Sequence, residues 1–64
     1  MKRRDVLQIL DAAGFTFKEG GDHTKVYRAG RLVTTVPRHR EVNELTVGNI
    51  EKRTGIRLRK GDKR

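Results

Sequence analysis

Apolar residues fall into groups along the chain whose spacing switches from helical to alternating and back again. From about Arg4 to Ala13, the residues Val6, Ile9, Leu10 and Ala13 recur at i, i+3, i+4 and i+7, which makes one apolar helical stripe. Leu7 widens the stripe, Asp5 complements the dipole in the first turn, and Gly14 is placed to end the helix in a left-handed conformation. The period then drops to two. Phe15 and Phe17 alternate with Thr16 and Lys18, as on a half-buried strand. Glu19-Gly20-Gly21-Asp22 reads as a turn, because paired glycines reach backbone angles that other residues avoid. A second strand is expected from His23 to Arg28 and a third from Arg31 to Val36, joined by the short turn Ala29-Gly30. Pro37 closes the third strand, since it cannot donate to a ladder. Arg38 to Asn43 is a polar connection. A second helix follows from about Glu44 to Thr54, with Leu45, Val47 and Ile50 inward and Gly55 as its stop. Asn43 or Thr46 could cap it, and Gly48 weakens the turn that contains it. Ile56 is placed as the hydrophobic contact beyond the cap.

The order α-β-β-β-α predicts an α+β fold, a three-stranded antiparallel sheet with two helices on one face. The opposite face is left to solvent or a ligand. The pairing of the second and third strands stays open. A plain two-residue turn at Ala29-Gly30 would set Arg28 against Arg31, Val26 against Val33 and His23 against Val36, with apolar residues on both faces. A bulge near the turn, for which Gly30 is suited, would repair the alternation. The face that carries His23 depends on which of these holds.

Composition narrows the function. A chain of 64 residues allows one domain with a thin core. Without cysteine it has neither disulfides nor a thiolate zinc site. Sixteen Lys and Arg against eight Asp and Glu give a net charge of +8, which attracts polyanions. Nucleic acid is the commonest such partner. A basic adaptor for an acidic protein is the other reading of the charge. Residues 57–64 (RLRKGDKR) hold five basic residues and one acid and are expected to form a flexible tail beyond a domain of residues 1–56. No apolar run approaches the roughly 18 residues that span a bilayer. The basic start, Met1 to Arg4, leads into an amphipathic segment with Asp5 and Asp11 and does not resemble a signal peptide, so a cytoplasmic chain is expected.

Few residues offer chemistry. The chain has no serine, no Walker-type phosphate loop and no His-Glu-x-x-His motif. His23 stands directly after Gly20-Gly21-Asp22 at the start of a strand, where a side chain is oriented yet accessible. An imidazole titrates near neutral pH and can take the proton from a ribose 2′-hydroxyl, whose oxygen then attacks the adjacent phosphate. Cations would stabilise the charge on the phosphate oxygens, and no metal or other cofactor is needed. Lys25, Arg28, Arg38 and Arg40 are the candidate phosphate contacts. His39, between two arginines, reads as an exposed loop residue. Phe15 and Phe17 read as core, while Tyr27 could pack or stack on a base.

Four strings in this order resemble the HicA family of toxin mRNA interferases. The opening helix ends in Ala13-Gly14-Phe15, the second strand starts with Gly21-Asp22-His23-Thr24-Lys25-Val26, the third leaves through Val36-Pro37-Arg38-His39, and the last helix closes with Thr54-Gly55-Ile56. The resemblance runs from about Lys2 to Ile56. It implies a fold similar to the double-stranded-RNA-binding domain and a ribosome-independent endoribonuclease that cuts mRNA. It also implies a HicB-like antitoxin that covers the catalytic histidine, and His23 stands in that histidine's position. Two departures concern the last helix: Gly48 replaces a bulky or basic residue, and Leu45-Thr46-Val47 lacks the usual preceding glycine. The basic tail lies outside the resemblance. The competing function is a non-catalytic module that holds double-stranded RNA by shape and phosphate contacts and does not need His23.

Overall fold

The computed structural model describes residues 1–59. Its first helix, α1, spans Arg3–Ala12 and buries Val6 and Leu10. Gly14 takes a φ of +97°, and the chain reverses there. The Phe15 N–H donates to the Leu10 carbonyl at 3.1 Å, which drops Phe15 into the core as the contact past the helix end. Phe15 therefore precedes the first strand. Strand β1 is Thr16–Gly20, β2 is His23–Arg28 and β3 is Arg31–Pro37, in an antiparallel sheet of order β1-β2-β3. Glu19 and Gly20, expected in the turn, extend β1, and the turn is Gly21-Asp22 alone.

Ala29 and Gly30 both have positive φ, 52° and 80°, so the β2–β3 connection is the two-residue turn whose twist suits a hairpin. It pairs Arg28 with Arg31. The irregularity lies further in, not at Gly30. Tyr27 pairs with Leu32 but Val26 pairs with Thr34, which leaves Val33 as an extra residue on β3. Beyond this bulge Thr24 faces Val36 and His23 faces Pro37. Thr24, Val26 and Val36 are buried beneath the helices, whereas His23, Lys25 and Tyr27 share the other face.

The second helix, α2, spans Glu44–Thr54 and runs unbroken through Gly48. Asn43 is its cap, with Oδ1 accepting from the Thr46 N–H at 2.8 Å. Val47, Ile50 and Thr54 face the core, but Leu45, expected inward, is 81% exposed. At about 100° per residue, Leu45 stands roughly 200° from Val47, so the two cannot share a face.

Two apolar residues in polar surroundings complete the core. Val42 is buried where the N-terminus pairs with the segment before α2: Lys2 bridges to Glu41, the Arg3 N–H donates to the Arg40 carbonyl at 2.9 Å, and the Val42 N–H donates to the Met1 carbonyl at 2.7 Å. Leu58, expected in the tail, is 1% exposed. Glu51 holds it in place, accepting from the Leu58 N–H at 2.7 Å and the Arg59 N–H at 2.9 Å, while Arg59 Nη2 reaches its other oxygen at 2.9 Å. The returning chain passes close to Gly48, where a Cβ would stand 3.8 Å from Arg59 Nη2, an ordinary contact. Residues 60–64 of the expected tail lie outside the described residues. Among the described residues no helix is long and apolar enough to cross a membrane.

Leu58→Ala is expected to cost about 2–5 kcal/mol in urea unfolding, whereas Leu45→Ala should change stability by less than about 0.5 kcal/mol. The reverse ranking would contradict this core. The Arg59 N–H, helped by the Leu58 N–H and the Arg59 guanidinium, holds the Glu51 carboxyl below the usual glutamate range, against burial that raises it. The stabilisation is fully present above the unfolded glutamate pKa of about 4.3 and is lost as pH falls through the lower folded value. Glu51→Gln should therefore show a shallower loss of stability with acid below about pH 4 than the wild type.

Candidate functional site

Some of the candidate side chains gather where the β1–β2 turn meets the end of β3. His23 pairs with Gly20 on one side and Pro37 on the other, so the residues after Pro37 arrive beside the Gly21-Asp22 turn. An open cleft of about 490 Å³ forms there, lined by Gly21, Asp22, His23, Pro37, Arg38 and His39. His23, Arg38 and His39 are thereby brought together. Lys25 lies two residues along the same strand face, with its stem against Gly20: a Cβ on Gly20 would stand 3.5 Å from Lys25 Cε and 3.8 Å from Nζ. Lys25 makes no ion pair with any described residue.

Arg38 is tied down. Its Nη1 donates to the Gly21 carbonyl at 3.2 Å, and its Nη2 stands 3.1 Å from Glu19 Oε1. The guanidinium has five N–H donors in a fixed fork, so these contacts leave donors for an anion. On the reverse side of the sheet, Arg3 donates to the Thr24 hydroxyl, and that hydroxyl donates to Glu19 Oε1 at 3.1 Å. Arg3 Nη2 is also 3.8 Å from Glu19 Oε2. Thr24 is wholly buried, so the residue next to His23 is fixed by polar contacts from α1 and β1.

Two candidate phosphate contacts do not join this cleft. Arg28 shares a face with Thr24 and Val26 at the far end of β2, where its Cζ lies 4.9 Å from the centre of the Phe15 ring. Alternation along the strand separates it from His23 and Lys25. Arg40 lines a neighbouring opening instead. Tyr27 is half-buried on the His23 face, opposite Leu32 and Thr16. His39 is an exposed residue in the segment after β3, but it borders the same cleft as His23. Only the pairing of His23 with Pro37 would have revealed that proximity, and the Val33 bulge sets that pairing.

The family model described as HicA toxin of bacterial toxin–antitoxin matches residues 3–56. The chain belongs to the HicA toxin family. Neither the curated proteins nor the solved structures give a significant match. The HicA match starts with α1 and ends just past Gly55, so it takes in every helix and strand and both walls of the cleft. As a HicA family member the chain has the role of the toxin in a toxin–antitoxin pair.

Thr24→Val removes the hydroxyl shared by Arg3 and Glu19 while keeping its shape, and leaves partly buried charged groups short of partners. It should cost about 1–3 kcal/mol in denaturant unfolding. A neutral result would show that the Arg3–Thr24–Glu19 contacts do not brace the strand.

Proposed function

We propose that this HicA family toxin is a metal-independent endoribonuclease that cuts mRNA, with His23 as general acid and base. The observation that supports it most is the position of His23 on the open sheet face, in a cleft bordered by Arg38 and two residues along the strand from Lys25. The neutral imidazole accepts the proton of a ribose 2′-hydroxyl. The freed oxygen attacks the adjacent phosphorus, the bond from phosphorus to the 5′-oxygen breaks, and the imidazolium returns its proton to that oxygen. The products are a 2′,3′-cyclic phosphate and a 5′-hydroxyl. Lys25 stabilises the negative charge that grows on the non-bridging oxygens. Arg38 holds the Gly21-Asp22 turn beside His23 and contributes its remaining donors to the same phosphate.

The partner proposed for this face is a HicB-like antitoxin that covers His23. The cleft is open and lies at the surface, so a protein can close it without any change in the toxin's core. The toxin meets both mRNA and antitoxin in the cytoplasm.

Incubation of the full chain with end-labelled mRNA in excess EDTA tests the reading. The wild type should cleave, and His23→Ala should lose about 10²- to 10⁴-fold in rate, the usual contribution of general acid–base catalysis. Undiminished cleavage by His23→Ala would remove the assignment. No cleavage by either, with RNA binding that falls steeply with salt, would make the chain a binding module instead.

A further inference from the structure

A second opening, of about 420 Å³, lies beside the histidine cleft, and among the described residues it is lined by five cations: Lys2, Arg3, Arg4, Arg38 and Arg40. Its two walls come from opposite parts of the chain. The start of α1 and the segment after β3 are held together by the Lys2–Glu41 bridge and the 2.9 Å bond from the Arg3 N–H to the Arg40 carbonyl. The backbone thus forces like charges together. Among the described residues two carboxylates answer them: Arg3 and Arg38 share Glu19, at 3.8 and 3.1 Å, and Arg4 lies 3.6 Å from Asp5. Lys2 and Arg40 make no ion pair with any described residue, and the buried Nε of Arg3 has no hydrogen-bond partner among them. Such a cleft concentrates positive potential, and a string of phosphates is the anion that relieves it along its length.

Arg38 lines both openings, so they adjoin at its side chain. We infer that the cationic cleft is a second phosphate subsite, which holds the RNA backbone on one side of the phosphate that is cut at His23. The inference rests on the ribonuclease reading for its ligand. Lys2 and Arg40 are the residues whose charge is free to meet the strand, and Arg38 spans the step between the two phosphates. Arg3 has its Nη2 engaged by Thr24 and Glu19 and forms the back of the cleft.

The test measures binding of a short single-stranded oligoribonucleotide across a salt series, with His23→Ala present in every variant so that the RNA stays intact. Adding Lys2→Ala and Arg40→Ala should make the slope of log affinity against log salt shallower by about 1.4, or about 0.7 for each lost phosphate contact. Affinity at 0.1 M salt should fall roughly 25-fold. A comparison pair, Arg31→Ala with Lys52→Ala, removes the same charge from exposed positions outside both clefts and should weaken binding only a few-fold. Equal losses in the two pairs, or an unchanged slope in the first, would overturn the subsite. Cleavage by the wild type is read separately. A wild type that does not cut, with a slope that still separates the two pairs, would retain the subsite and remove the ribonuclease reading. A wild type that cuts, with no such separation, would do the reverse.

Discussion

A β-strand turns successive side chains to opposite faces, so one extra residue exchanges the faces of everything beyond it. That residue here is Val33. The tight Ala29-Gly30 turn fixes the pairing of Arg28 with Arg31, and continued without interruption it would set Val36 beside His23 on the open face. The bulge sends Val36 into the core opposite Thr24 and leaves Pro37 opposite His23. The bulge thus buries Val36 without moving His23, which the alternation of β2 itself keeps on the open face. The same shift delivers Arg38 and His39 to the Gly21-Asp22 turn, so the cleft follows from the register as well.

Cations crowd this end of the molecule, and Glu19 makes the crowding tolerable. It lies opposite Thr24 in the sheet, accepts from the Thr24 hydroxyl and pairs with both Arg3 and Arg38. One carboxylate therefore joins α1, β1, β2 and the segment after β3. Its contacts are partly exposed and individually weak. Their value lies in position: Arg38 is aimed across the turn beside His23, and Arg3 is held at the back of a cleft whose remaining cations face outward. Five cations of the described residues are in this way gathered where the proposed substrate would lie.

Much of this was legible in the sequence because it is periodic or local. The stripe of Val6, Ile9 and Leu10, the β-branched runs and the glycines after each helix carry the α-β-β-β-α order. His23 stood out through its place after a glycine-rich turn. The misses share a different cause. Val42 and Leu58 are single apolar residues among charges, with no period to mark them, and only tertiary pairing shows them to be core. Leu45 drew attention by its type, although its angle on the helix sets it apart from Val47. Arg28, a candidate phosphate contact by its charge, is carried by strand alternation to the other face, over Phe15. The bulge left no mark at Val33 itself, since two residues there are compatible with either register.

The proposed RNA-binding surface around His23 depends on this register. The most direct measurement is an NMR titration of the ¹⁵N-labelled chain with an oligonucleotide that carries 2′-deoxyribose at the position to be cut and so binds without reacting. Shifts should concentrate in the Gly21-Asp22 turn, at His23 and Lys25, and from Arg38 to Arg40. Shifts centred instead on Leu32, Thr46 and Arg53, in the groove between β3 and α2, would contradict it.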